Sequence, residues 1–62
     1  MPTYRCYHLD ADNHVISVES DELSDDATAT SWAWDRMAQT AMDCVAVELR
    51  ELERTVTRLD RT

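Results

Sequence analysis

The chain has 62 residues, a net charge of -7 from 6 basic and 13 acidic side chains, no glycine, and a single proline. One domain, 1–62, is the most such a length holds, and a chain this short buries only about 60% of the surface its unfolded form exposes. The charge speaks against nucleic acid and anionic membrane surfaces as partners. The lack of glycine excludes a glycine-rich phosphate loop. No stretch approaches the roughly 20 apolar residues of a membrane span, and the first residues carry no apolar leader core. A soluble cytoplasmic protein is therefore expected.

Residues 3–9 alternate with period two and are rich in β-formers, which predicts a strand with Tyr7 and Leu9 on one face. Tyr4, Cys6 and His8 fall on the other. Asp10-Ala11-Asp12-Asn13 is a turn signal, since Asn tolerates the left-handed conformation and Asp bonds its own turn. Residues 14–20 alternate again, and pairing Leu9 with either His14 or Ile16 gathers Tyr7, Leu9, Ile16 and Val18 on one face.

The acidic run 19–26 predicts a helix start, with Ser24 as N-cap and Asp25 and Asp26 in the first turn. A helix is expected over 25–41. Its apolar stripe reads Ala27, Ser31, Trp34, Met37, Ala38 and Ala41. Trp32 falls on the polar side with Asp25, Thr28, Asp35, Arg36 and Gln39, because two residues turn a side chain by about 200°. An indole there is either folded over the helix edge or part of a contact surface.

Residues 43–61 admit two readings. Val45, Val47 and Leu49 form one face of a strand, and 54–59 supplies its hairpin partner, with Val56 toward the same core. The series Val45, Leu49, Leu52, Val56 and Leu59 equally forms a heptad seam over a helix-favouring stretch. The first reading gives an α+β fold, ββαββ, with one helix on a four-stranded antiparallel sheet. The second gives an N-terminal hairpin plus two helices.

The run Tyr4-Arg5-Cys6-Tyr7-His8-Leu9-Asp10-Ala11-Asp12-Asn13-His14-Val15 resembles the opening of a group of short uncharacterised alphaproteobacterial proteins. Theirs typically reads Tyr-Arg-Cys-Tyr-Phe-Leu-Asp-x-x-Gly-His-Ile. The resemblance continues without gaps through an Ala-rich helix to Ala46-Val47-Glu48-Leu49 and Arg54-Thr55-Val56-Thr57-Arg58-Leu59. It implies the order ββαββ and brings no activity with it. Asn13 and Leu52 stand where those proteins have glycine, and His8 where they have Phe.

Cys6, His8, His14 and Cys44 are the soft metal ligands of the chain, but their spacing is not that of a zinc knuckle or ribbon. No cofactor or metal is expected, and the two thiols are expected to pack as small hydrophobes. A Cys6–Cys44 disulfide is disfavoured in a reducing compartment. A cysteine nucleophile would need a positioned base and an oxyanion hole, and no enzyme activity is expected. Asp10-x-Asp12-x-His14 has the start of a calcium-loop pattern, but Val15 stands where such a loop needs glycine.

Two functional classes follow. The first is a self-associating protein-interaction module, a homodimer built on the uncovered face of the sheet. Tyr4, Cys6, His8, Val15, Thr55 and Thr57, with Ala46, are expected on that face, and Trp32 is a further contact candidate. Roughly 400 Å² of extra apolar burial per chain would stabilise by about 10 kcal/mol before association costs. The second is a small-molecule or metal-binding protein using the Cys6/His8 region.

Overall fold

A computed structural model describes residues 2–39 and 44–60. Strands β1 (Thr3–Leu9) and β2 (Val15–Glu22) precede helix α1 (Asp26–Gln39), and strands β3 (Ala46–Glu51) and β4 (Arg54–Asp60) follow it. The sheet is fully antiparallel in the order β2-β1-β3-β4, with α1 packed on one face. The fold is thus ββαββ, and the C-terminal stretch is a hairpin rather than a second helix. Residues 40 and 41 of the helix expected over 25–41 lie outside the described residues.

The first turn closes as its side chains dictate. Asp10 Oδ1 accepts hydrogen bonds from the Asp12 and His14 N–H groups, each at 2.9 Å. Asn13 takes the left-handed conformation, at φ 67°. From Thr3 to His8 the strands keep the register of the expected Leu9–Ile16 pairing, with His8 opposite Ser17, but Leu9 itself lies opposite Val15. Ile16 is therefore an extra residue, a bulge that restores Tyr7 to its position opposite Val18. A second bulge, at Val56, interrupts β4 between Thr55, opposite Arg50, and Thr57, opposite Leu49.

Register decides which face the helix covers, and the outcome reverses the expectation. Cys6 lies opposite Leu49, and His8 opposite Val47. The two most apolar residues of β3 thus share a face with Tyr4, Cys6 and His8, which are 1%, 0% and 0% exposed beneath α1. The Tyr7 face cannot go inside, because Arg5, Glu48, Arg50 and Arg58 share its parity.

The helix is also rotated from its expected setting. Its buried residues are Ala29, Ala33 and Met37, at a spacing of four, and Trp32 packs half-buried beside them. Trp34 is 48% exposed instead. Two alanines at the contact let the helix axis approach the sheet closely, which a stripe centred on Trp34 would prevent. The N-cap is Asp25 rather than Ser24: its carboxylate accepts the Thr28 N–H at 2.8 Å, and this bond holds its pKa below the usual carboxylate range.

Asp26 fastens the helix to three strands. Arg54 of β4 donates to both its oxygens, at 3.0 and 2.9 Å, and Tyr4 of β1 donates at 2.7 Å. Arg54 also bonds Glu51 of β3. The guanidinium, then the phenol, lower the Asp26 pKa from 3.8 to about 2. The same carboxylate raises the Tyr4 pKa from 10.0 to about 12.

The second hairpin turns through Leu52 and Glu53. Leu52 sits in the left-handed region at φ 54°, with its side chain 85% exposed. A Cβ in that conformation costs about 1–2 kcal/mol relative to the right-handed one. Leu52 therefore combines an unfavourable backbone with an unfavourable environment.

Candidate functional site

Two places in the fold bring together residues with chemistry to offer. The first lies under the helix. The His8 imidazole is enclosed between sheet and helix, its Nε2 at 2.8 Å from Glu19 Oε2 and its ring nitrogens near both thiols. Glu19, at the rim, accepts a 2.6 Å bond from Arg36 through its other oxygen. A carboxylate only accepts, so Nε2 carries the proton of that bond. Arg36, then His8, hold the pKa of Glu19 below the usual carboxylate range against the opposing effect of its partial burial.

The thiols do not converge with His8 on one point. Cys6 Sγ lies 3.7 Å from Nε2, and Cys44 Sγ lies 3.6 Å from Nδ1, on the other side of the ring. A single ion cannot be shared by ligands so disposed. Cys44 instead directs its sulfur to the Ala46 carbonyl at 3.3 Å. Burial pushes the Cys6 thiol from 9.0 up to about 12, with the Glu19 carboxylate adding to the effect. A buried thiol so resistant to ionisation is a poor nucleophile. The two cysteines are free, and the cluster is a satisfied polar core rather than a reaction centre.

Among the described residues, three ligand atoms converge at one place, the turn formed by Asp10, Asp12 and His14, where they lie within 4.8 Å of one another. Asp10 Oδ1 is already committed to two N–H groups of the turn. His14 is remote in role from Cys6, His8 and Cys44, which sit inside the fold.

The second place is the uncovered face of the sheet. Its cross-strand rows are Ser20, Arg5, Arg50 and Thr55; then Val18, Tyr7, Glu48 and Arg58; then Val15, Leu9, Ala46 and Asp60. Tyr7, Leu9, Val15 and Val18 make a contiguous apolar patch over β1 and β2, with Val15 54% and Val18 50% exposed. A groove of about 370 Å³ runs beside it, lined by Tyr7, Leu9, Asn13, Val15, Glu48 and Arg50. Arg50 bridges Glu48 at 3.2 Å and the Glu53 carbonyl at 2.9 Å, and Arg58 bridges Asp60 at 3.4 Å. Three arginines (Arg5, Arg50, Arg58) meet three carboxylates (Glu22, Glu48, Asp60), so this face is neutral, and the net -7 of the chain lies elsewhere.

Of the expected contact residues, Val15 and Thr55 lie on this face. Tyr4, Cys6 and His8 do not, being inside, and Thr57 shares their side of the sheet, opposite Leu49. Trp32 is half-buried against the core. Ala46 shares the uncovered face but is itself covered by its neighbours. Tyr7 and Val18 are on the uncovered face rather than in the core, and Leu9 shares that face but is itself buried, at 5% exposure. The charges at Arg5, Glu48 and Arg50 are the sequence signal that would have placed them there.

No helix among the described residues is long and apolar enough to cross a membrane. Compared with known proteins, the chain matches no family model, no curated protein and no solved structure.

Proposed function

We propose that this protein is a small self-associating interaction module of the cytoplasm, a homodimer that joins through the uncovered face of its sheet. The observation that carries the reading is the apolar patch of Tyr7, Val15 and Val18, left open in a chain with little core of its own. Neutrality supports it, because two copies with net charge -7 repel least where neither presents excess charge.

The size also fits. The broad face of a body measuring 31 × 20 × 16 Å presents roughly a fifth of its 3983 Å² surface, on the order of the ~800 Å² per partner of a standard interface. The sheet edges are the weaker alternative. Both edge strands carry a bulge, at Ile16 and at Val56, and both carry charged residues, the devices that discourage edge-to-edge pairing.

Sedimentation equilibrium at micromolar concentration tests the reading, with Val18→Asp as the disrupting variant. The wild-type chain is expected to sediment as twice 7.2 kDa, and the variant as a folded monomer. A wild-type monomer at every concentration, with a high melting temperature, would remove the reason for the proposal.

A further inference from the structure

The uncovered face has an internal order along its strands. Its two rows nearest the first turn read, across β2, β1, β3 and β4, Val15, Leu9, Ala46, Asp60 and then Val18, Tyr7, Glu48, Arg58. In each row a half-exposed valine stands at the β2 edge and an exposed charge at the β4 edge. The two β4 charges are opposite in sign. Within the chain Arg58 Nε reaches Asp60 at 3.4 Å, long for a charge-assisted bond. The two rows are thus matching halves, valine against valine and base against acid.

We infer that the dimer is isologous, with its twofold axis lying between the two sheets, running across the strands, midway between these two rows. This rests on the open-face reading above and gives it a register. Such an axis keeps each strand over its own copy and reverses its direction, and every contact occurs twice. Val18 then lies over the partner's Val15, and Tyr7 over the partner's Leu9, on the floor of the hollow of about 370 Å³. At β4, Arg58 lies over the partner's Asp60. Glu48 keeps its own Arg50 and lies over the partner's Ala46, whose small side chain leaves room for the pair. Packed sheets rotate by about 30° against one another, which moves an outer strand of a four-stranded sheet by about 4 Å, within the span of an arginine side chain.

Neighbouring placements fail on polarity or on charge. Moved to the Tyr7 row, the axis lays Arg58 on the partner's Arg58 and Glu48 on the partner's Glu48. Moved to the Leu9 row, it lays Asp60 on the partner's Asp60. Moved midway between the Tyr7 and Arg5 rows, it lays Val18 over the partner's Ser20 and Val15 over the partner's Glu22. An axis along the strands, between β1 and β3, puts Val18 over the partner's Arg58, Val15 over the partner's Asp60 and Arg5 over the partner's Arg50. Like charges facing each other, and valines facing charges, both oppose association. The first placement alone among these joins apolar to apolar and opposite charge to opposite charge.

The test is a mixing experiment with Arg58→Asp and Asp60→Arg chains, read by sedimentation equilibrium at low salt. Each variant alone sets like charges against each other twice, and its dimer is expected to be at least tenfold weaker than wild type. In the mixture every such contact becomes an opposite pair, so the heterodimer should form within about threefold of wild-type affinity. A second measurement fixes the β2 side without changing charge. Val15→Cys and Val18→Cys chains, mixed in an oxidised glutathione buffer, should give a disulfide-linked heterodimer in preference to either linked homodimer. A wild-type dimer that Val18→Asp dissolves, but whose charge variants do not rescue each other or whose cysteine chains link as readily with themselves, overturns the register and spares the open-face reading. A wild-type chain that never dimerises overturns both.

Discussion

The two faces of the sheet are built from the same four strands, yet one is finished and the other is not. Beneath the helix, Tyr4, Cys6, His8, Val47 and Leu49 are fully enclosed, and the Tyr4 hydroxyl and His8 ring have partners in Asp26 and Glu19. On the far side, Tyr7, Val15 and Val18 lie against water beside ion pairs that are themselves at the surface. The difference teaches that parity alone does not make a core. The β3 ladder decides which face becomes the core: β3 supplies Val47 and Leu49 to one side but Glu48 and Arg50 to the other, although across the β2 ladder the buried set meets Asp21, Glu19 and Ser17.

The sharpest way to break the comparison is to truncate both faces. Leu49→Ala should destabilise by about 3 kcal/mol, the usual scale for a buried leucine, a large share of the stability of so small a domain. Val18→Ala, measured under monomeric conditions, should change stability by about 0.5 kcal/mol or less. Urea denaturation of the two variants checks the pair; similar losses would mean the faces are equivalent. The next effect concerns the helix. Ala33→Leu forces α1 away from the sheet and should cost about 1–3 kcal/mol, whereas Trp34→Ala, on the exposed side, should be close to neutral.

The polar core gives a smaller and more discriminating effect. His8→Phe fills the same space and leaves Glu19 with Arg36 and solvent, so a loss of about 1 kcal/mol or less is expected. His8→Ala leaves a cavity and should lose at least about 2 kcal/mol in the same titration.

The smallest effects are in pH. Asp26 has a folded pKa below its unfolded one, so its contribution is present above about pH 4 and lost as pH falls toward 2. Asp26→Asn should flatten the melting temperature over that window. Cys6 and Tyr4 have raised values, so their contribution holds below pH 9 to 10 and is lost as pH climbs toward 12. Cys6→Ala should weaken the alkaline decline without touching the acid one.

The order of elements was legible because each is locally consistent: alternation in β1 and β2, an acidic cap before α1, and Asn13 at a left-handed turn. The choice of face was not. Residues 3–9 have two alternating sets, Tyr4-Cys6-His8 and Tyr7-Leu9, each apolar enough for a core, and only the cross-strand partners separate them. The bulge at Ile16 moved Val15 to the face of Tyr7, which no two-residue periodicity foresees. The helix failed for a related reason. In an Ala-rich segment the stripes through Ala33 and Trp34 differ little in hydrophobicity, and closeness of approach decided between them. The expected uncovered face inherited the error of side, so Tyr4, Cys6 and His8 lie inside, whereas Val15 and Thr55, each next to a bulge residue, lie on the uncovered side.

A dilution series followed by methyl resonances addresses the two faces most directly. As the protein passes from millimolar to low micromolar concentration, the signals of Val15 and Val18 should shift together, while those of Val47 and Leu49 stay fixed. Resonances that remain unmoved on the uncovered face, or that move only under the helix, would contradict the account.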